Sequence, residues 1–151
     1  ILKTIIEEFD NLQVVAIAGK NVKMQAKFET LVKETDSEDT VKVLSYTNKV
    51  PELMSISDIV ISKPGGLTTT ESLASGLPII VINPIPGQEE KNAEFLEQNG
   101  VGIWLKKNDN IKEKLREILS STEKIKEMKI NARLLSKKNS TADICKILLE
   151  K

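Results

Sequence analysis

Two adjacent glycines, Gly65 and Gly66, lie in the stretch SKPGGLTTTESLASGLPII, residues 62–80, between two aliphatic runs. The residues before them have the pattern of a strand, and the segment from Leu67 onward has the pattern of a helix. At such a turn the missing Cβ atoms allow backbone N–H groups to approach a ligand closely. The unpaired amides of the helix and the positive end of its dipole favour an anion. A phosphate therefore suits this position.

The same residues also fit a turn that binds no ligand. Pro-Gly-Gly is a common tight turn, and Thr68-x-x-Glu71 has the spacing of a capping box. The stretch lacks the Walker pattern G-x-x-x-x-G-K-[ST] and the dinucleotide pattern G-x-G-x-x-G. Nucleoside triphosphatase and dehydrogenase functions are therefore not favoured.

The composition of the 151-residue chain narrows the remaining chemistry. Lys and Arg together number 22, the same as Asp and Glu, so the net charge predicts no general attraction to nucleic acid or to an anionic membrane. The chain has no histidine, which removes the commonest general base and the commonest metal ligand. The single cysteine, Cys145, excludes an intrachain disulfide and a cysteine-clustered metal site, and we expect no metal. Its core-like spacing predicts a buried thiol instead of a reactive one.

The chain carries no sequence signal for export or membrane insertion. No apolar run reaches the roughly 20 residues of a membrane span, and no signal-peptide pattern opens the sequence. We therefore expect a cytoplasmic location. Residues 1–10 begin inside an amphipathic helix, without an initiator Met or a preceding cap, so we expect the chain to be an excised domain of a longer protein.

Five apolar runs alternate with helical patterns along the chain. The helical patterns include VPELMSI, residues 50–56, and EKNAEFLEQ, residues 90–98, which follows a predicted loop, NPIPGQE, at residues 83–89. The runs are residues 12–18, 41–46, 58–62, 77–83 and 101–105, and helical spacing alone remains from 110 to 151, with breaks near 120–122 and 138–141. Nearly all-apolar strands that alternate with helices indicate a parallel sheet with helices on both faces, and the first run is expected to be buried on both faces. The sequence thus predicts a doubly wound, Rossmann-like α/β fold. Ligands of such sheets gather at the carboxyl ends of the strands.

The stretch SKPGGLTTTESLASGLPIIVINPIPGQEEKNAEFLEQNGVG resembles the donor-binding domain of the processive diacylglycerol glucosyltransferases and monogalactosyldiacylglycerol synthases. These are inverting, metal-independent enzymes of the GT-B fold. AIAGKN and VKVLSYTNKVPELMSISDIVISK resemble two further segments of the family. The resemblance implies that residues 1–151 form the UDP-hexose-binding half, and that an N-terminal acceptor domain is absent from this chain. It also implies transfer from UDP-glucose or UDP-galactose to diacylglycerol, without a cofactor, by a protein peripheral on the inner face of the cell membrane.

The resemblance assigns roles to particular residues. It implies that the donor's diphosphate meets the glycine turn and the helix start, with backbone donors at Gly65, Gly66, Leu67 and Thr68. Pro64 is also expected among the residues that bind the nucleotide sugar. The two ribose hydroxyls fall to Glu71, since an ionised carboxylate is an acceptor that suits a vicinal diol. The uracil is expected at Tyr46, Thr47 and Val50, the hexose hydroxyls at Gln88, Glu89 and Asn92, and Gly19 near the phosphates.

Several alternatives stay open at this point. Related peptidoglycan-precursor enzymes, which use a UDP-N-acetylglucosamine donor, carry two glutamines where this chain has Gln88 and Glu89, and a non-catalytic nucleotide-sugar module is a further candidate. Gln-Glu-Glu-Lys is also a common acidic first turn of a helix. Three lysines, Lys20, Lys63 and Lys91, could add positive charge near the donor. We interpret them instead as ordinary surface lysines whose charge is solvated. The family's catalytic base belongs to the N-terminal domain, so no catalytic residue is expected on this chain, and we expect little or no turnover from it alone.

Overall fold

The computed structural model describes residues 1–149, in which five strands alternate with eight helices. In chain order the elements are α1 (Leu2–Glu8), β1 (Val14–Ile17), α2 (Val22–Glu34), β2 (Val41–Leu44), α3 (Val50–Ile56), β3 (Val60–Ser62), α4 (Gly66–Ser75), β4 (Ile79–Ile82), α5 (Gln88–Gln98), β5 (Gly102–Leu105), α6 (Ile111–Leu119), α7 (Thr122–Leu135) and α8 (Ser140–Leu149). The helical tail and both of its predicted breaks are confirmed as far as Leu149. Residues 150 and 151, which the prediction also included, lie outside the described range.

The strands are parallel and form two sheets, one with the order β1–β2 and one with the order β3–β4–β5. Val14 pairs with Val41 in the first sheet, and Ile79 pairs with Val60 and Gly102 in the second. The predicted α/β class, with parallel strands and helices on both faces, is confirmed, although hydrogen bonding divides the strands between two sheets.

The chain divides into two compact units. The first comprises Ile1–Val50 and Asn110–Arg116, and the second comprises Pro51–Asp109 and Glu117–Lys151. Each unit contains one of the two sheets. The glycine turn and the segment around Gln88 both belong to the second unit.

The core of the second unit surrounds β4, the middle strand of its sheet. Ile79, Ile80 and Val81 are almost completely buried. A cluster of buried residues, comprising Ile79, Val81, Ala93, Leu96, Val101 and Ala132, joins β4 to α5 and α7. A continuous apolar run here does correspond to a strand covered on both faces.

The first unit contradicts the same expectation for β1. Ala16 is buried, but its neighbours Val15 and Ile17 are 44% and 40% exposed. Alternate residues of a strand point to opposite faces, so one face of β1 is covered and the other is open. An apolar run shows that both faces of a strand are suited to burial. Whether they are buried depends on which other elements of the fold pack against them.

A double ion pair joins α1 to α6 within the first unit. The carboxylate of Glu8 lies 2.5 Å from Lys112 Nζ and 3.0 Å from Arg116 Nη2. Both basic side chains are about half exposed, so the pairs contribute less than buried pairs would. Their role is to attach α6 to the end of α1.

The prediction for Cys145 is wrong, because its side chain is exposed. It lies on α8, and all ten residues of that helix are exposed, including Ile144, Ile147 and Leu148. The core-like spacing is present, but no other part of residues 1–149 buries the helix. None of the helices in this range has both the length and the apolar composition of a membrane-spanning helix.

Helix α4 ends at a glycine that the backbone requires. Gly76 has φ +63° and ψ +32°; its N–H donates to the Leu73 carbonyl, and the next N–H, of Leu77, donates to the Ser72 carbonyl. This is the Schellman arrangement, in which a left-handed residue closes the helix. A Cβ on Gly76 would lie 2.8 Å from Cγ of Arg133, so there is no space for a side chain either.

We expect Gly76→Ala to lower the free energy of unfolding by about 1–2 kcal/mol from the left-handed backbone alone. A further loss is expected because the Arg133 stem must move away from the new methyl group. Chemical denaturation of the 151-residue chain measures the total. The same substitution in an Arg133→Ala background should retain only the backbone cost, and an equal loss in both backgrounds would contradict the steric part.

Candidate functional site

The glycine turn connects β3 to the first residue of α4. Gly65 is the N-cap, with φ −62° and ψ +152°, and its carbonyl accepts the first helical hydrogen bond, from Thr69 N–H. No side chain caps the helix, and its first turn contains no acidic residue. The amides of Gly65, Gly66, Leu67 and Thr68 are the four that a helix start leaves without an intrahelical acceptor. They are the four donors implied by the resemblance.

Neither glycine of this turn is required by the fold. Gly65 has a negative φ, and Gly66 is not among the residues with positive φ. A Cβ on Gly66 would meet no atom within 4 Å, and one on Gly65 would make only an ordinary contact, 3.9 Å from Glu89 Oε1. Gly76, by contrast, has both a left-handed backbone and a steric conflict. The tight-turn interpretation therefore does not account for the two glycines, whereas close approach of a ligand does.

The capping-box interpretation of Thr68 and Glu71 is wrong. The helix begins at Gly66, so Thr68 lies inside its first turn and is not the N-cap. Glu71 is exposed on α4, one turn beyond Leu67 and on the same helix face. Within residues 1–149, no hydrogen bond or ion pair occupies its carboxylate. This side chain is therefore free to accept from a ligand.

The three threonines of this helix differ in their surroundings. Thr70 Oγ1 donates to the Gly66 carbonyl at 2.8 Å, which occupies its hydroxyl. Thr69 is buried, and its hydroxyl has no partner in the described part of the chain. The sequence had assigned a role only to Thr68, and the helical register set by Gly66 is what gives Thr69 and Thr70 different surroundings.

The segment around Gln88 was predicted to be a loop, but in the structure it is the start of a helix. Helix α5 begins at Gln88, two residues earlier than expected, so Gln88 and Glu89 are helical. Its N-cap is Gly87, with φ +97°, and Glu90 Oε2 accepts from Gly87 N–H at 3.1 Å. This glutamate follows Gly87 by three residues, a spacing that marks a helix start. The acidic-first-turn interpretation of Gln-Glu-Glu-Lys is thus confirmed, since Glu89 and Glu90 both lie in the first turn of α5.

Glu89 and Asn92 both make contacts that the sequence did not predict. Glu89 Oε2 accepts from Ile85 N–H at 2.7 Å, so the carboxylate fixes its own preceding loop. Asn92 Nδ2 donates to the Pro64 carbonyl at 2.8 Å, in a half-buried hydrogen bond. The structure therefore brings the start of α5 against the glycine turn. Gln88, the third residue expected to contact the hexose, is exposed.

A second group of predicted residues meets at the carboxyl ends of β1 and β2 in the first unit. Gly19 follows β1 with φ +62°, and Lys20 Nζ lies 5.5 Å from the centroid of the Tyr46 ring. Tyr46 is 67% exposed, and Thr47 Oγ1 accepts from Lys49 N–H at 3.1 Å. Val50 is half-buried at the first residue of α3. The cation–π contact gives Lys20 a neighbour that spacing alone could not identify.

The chemistry available in the second unit is recognition of an anion together with hydroxyl groups. Uncapped amides supply donors, and the free carboxylate of Glu71 supplies an acceptor. Lys63 and Lys91 are exposed and carry positive charge on the flanks of the turn and of α5. In the described part of the chain, no group of three His, Cys, Asp or Glu side chains is arranged to hold a metal ion.

Comparison with known proteins identifies the sequence family. The chain is 37% identical over 141 residues to the processive diacylglycerol beta-glucosyltransferase of Bacillus subtilis, and 36% identical over 139 residues to that of Bacillus pumilus. These matches cover 93% and 92% of this chain but only 36% of each relative. The chain therefore spans about a third of the length of the curated relatives it matches. The resemblance to this group of enzymes is confirmed.

Solved structures share the fold at low sequence identity. The crystal structure of Acinetobacter baumannii MurG matches with a TM-score of 0.73 and 19% identity, over 99% of this chain and 46% of that one. Anabaena Alr3699/HepE, solved in complex with UDP, matches with a TM-score of 0.71 and 15% identity, over 99% and 44%. The fold is that of GT-B glycosyltransferases.

The model of the glycosyltransferase family 28 C-terminal domain matches residues 2–147, nearly the whole length of the sequence. The same region contains the uncapped glycine turn and the segment that contacts it. This chain belongs to the glycosyltransferase family 28 C-terminal domain family.

Proposed function

We propose that this chain is the donor-binding part of an inverting glycosyltransferase that moves a hexose from UDP-glucose or UDP-galactose to diacylglycerol. Family membership supports a glycosyltransferase, and the names of the curated relatives favour diacylglycerol over a peptidoglycan precursor as the acceptor. Glu89 favours the same choice, because the peptidoglycan enzymes carry a second glutamine there. One structural neighbour was solved with UDP, which agrees with a uridine donor.

The observation that carries this proposal is the pair of glycines at an uncapped helix start. Gly65 and Gly66 have neither the backbone angles nor the crowding that would require glycine. What they provide is unobstructed access to four amides at the positive end of α4. Each charge-assisted hydrogen bond from such an amide to a phosphate oxygen contributes about 1.5–3 kcal/mol. A diphosphate is a ligand that uses several of these donors together.

The remaining groups of the donor are assigned to the other residues that the family resemblance indicates. Glu71 accepts from the two ribose hydroxyls, while Gln88, Glu89 and Asn92 face the hexose. Tyr46, Thr47 and Val50 hold the uracil, with Gly19 beside the phosphates. The fixed carboxylate of Glu89 keeps one oxygen available for a sugar hydroxyl, since Ile85 N–H binds only the other. No cofactor or metal takes part in this scheme.

The acceptor half of the reaction requires a longer protein. We assign the base that deprotonates the acceptor hydroxyl, and the diacylglycerol site, to an N-terminal domain outside this chain. Such a protein would act in the cytoplasm, at the inner face of the cell membrane. Calorimetric titration of the 151-residue chain with UDP, UDP-glucose and UDP-galactose tests the donor half, and absence of any binding heat would contradict it.

We expect Gly66→Ala to separate ligand binding from folding. The new methyl group meets no protein atom, so the free energy of unfolding should stay unchanged or rise by up to about 1 kcal/mol. UDP affinity should fall about tenfold, because the methyl group lies where the diphosphate approaches. Thermal unfolding and calorimetry measure the two effects. Ser75→Ala, at the other end of α4, is the control, and equal UDP affinity of Gly66→Ala and wild type would exclude close approach at Gly66.

We expect Glu71→Ala to weaken UDP binding about tenfold, because the ribose diol loses an ionised acceptor. The loss should shrink when the ligand is 2′-deoxy-UDP, which lacks one of the two hydroxyls. Calorimetry with both ligands measures this difference. Glu94→Ala, which removes an exposed carboxylate from α5, should bind both ligands as wild type does. A loss of the same size for both nucleotides would argue for a general charge effect and against the ribose assignment.

A further inference from the structure

The geometry points to Asn92 as a positioning residue that sets the direction of the Gly65 N–H toward the donor's diphosphate. This inference rests on the proposed function, because it assigns a second task to a residue expected to face only the hexose. Its starting point is the hydrogen bond from Asn92 Nδ2 to the Pro64 carbonyl, at 2.8 Å. The bond joins residues 28 positions apart and connects α5 with the glycine turn.

The planarity of the peptide bond links this contact to the candidate site. The Pro64 carbonyl and the Gly65 N–H belong to the same peptide plane, and in a trans peptide they point in opposite directions. The described chain has no cis peptide bond. When Asn92 holds the carbonyl toward α5, the Gly65 N–H must therefore point away from α5, to the other side of the turn.

The next amide along the turn is fixed in a different way. The Gly65 carbonyl accepts from Thr69 N–H at 2.9 Å, so it points into the helix. The Gly66 N–H, in the same peptide plane, consequently points out of the helix start. Asn92 and the first helical hydrogen bond thus orient two successive donors, one each.

An external anchor is needed at this position because glycine has unusual backbone freedom. Gly65 and Gly66 lack the Cβ atoms that would limit their dihedral angles. Pro64 is fully buried, and as a proline it has no N–H of its own with which to fix the turn. Accepting a hydrogen bond at its carbonyl also polarises the peptide and strengthens the donor on its other side.

The neighbouring Glu89 cannot replace this contact. It lies three residues before Asn92 on α5 and close to Gly65, but an ionised carboxylate has no donor to give to a carbonyl. One of its oxygens is already held by Ile85 N–H. The amide of Asn92 is therefore the donor by which α5 orients the turn, and its Oδ1 remains available as an acceptor for a sugar hydroxyl.

UDP is the probe that distinguishes the two tasks, because it carries the diphosphate but no hexose. We expect Asn92→Ala to weaken UDP binding about tenfold in calorimetric titrations of the 151-residue chain. Asn92→Leu, which also removes the donor but keeps most of the side-chain volume, should weaken it to the same degree. The Gly65 amide signal in a ¹H–¹⁵N spectrum should shift strongly on UDP addition in wild type and only weakly in both variants.

The matched control is Asn99→Ala, at the other end of the same helix. Asn99 Nδ2 also donates to a backbone carbonyl, that of Phe95 at 2.8 Å, but far along α5 from the turn. This variant should bind UDP as wild type does, and thermal unfolding of all three variants verifies that they fold. Unchanged UDP affinity in both Asn92 variants, with weaker binding of UDP-glucose only, would overturn the inference and leave the proposed function intact. Failure of wild type itself to bind UDP would overturn both.

Discussion

The start of α4 presents backbone donors that the protein does not use itself. A helix start leaves four amides without an intrahelical acceptor, and natural helices commonly satisfy part of them with a Ser, Thr, Asp or Asn side chain. Here the N-cap is a glycine, no side chain caps the helix, and no acidic residue lies in its first turn. The other parts of the candidate site lie around these amides, which have no acceptor within the protein.

Two neighbouring helices of the second unit, α4 and α5, contribute different groups to the candidate site at the glycine turn. Helix α4 supplies the amides and the free carboxylate of Glu71, while α5 supplies the side chains that contact the turn. At the start of α5, Glu90 occupies the Gly87 amide, and the two acidic residues of the first turn, Glu89 and Glu90, disfavour an anion, unlike at the start of α4. This contrast between two helix starts in one unit favours α4 as the candidate anion site, which net charge could not indicate because the chain is neutral overall.

The helices and strands were predicted well from the sequence, because the spacing of apolar residues and the positions of turn residues are local properties of the chain. The sequence predicted α3 at its observed bounds and the helix breaks of the tail. It failed where burial depends on distant cover: β1 has an open face, and Cys145 is exposed on α8. It also failed at helix starts. Helix α5 begins two residues earlier than predicted, which places Gln88 and Glu89 in the helix, and α4 begins at Gly66, which excludes Thr68 as its N-cap. The partner of Asn92 lies 28 residues away, and no spacing rule predicts such a pair.

That long-range bond has an implication for protein engineering and for sequence drift. The Pro-Gly-Gly motif and the segment that begins with Pro-Gly-Gln-Glu contact each other through Pro64 and Asn92. Neither motif therefore has its full structure without the other. Grafting the glycine motif alone into another α/β protein would transfer the turn without the Asn92 hydrogen bond that orients it. The two motifs should consequently be exchanged between proteins only as a matched pair.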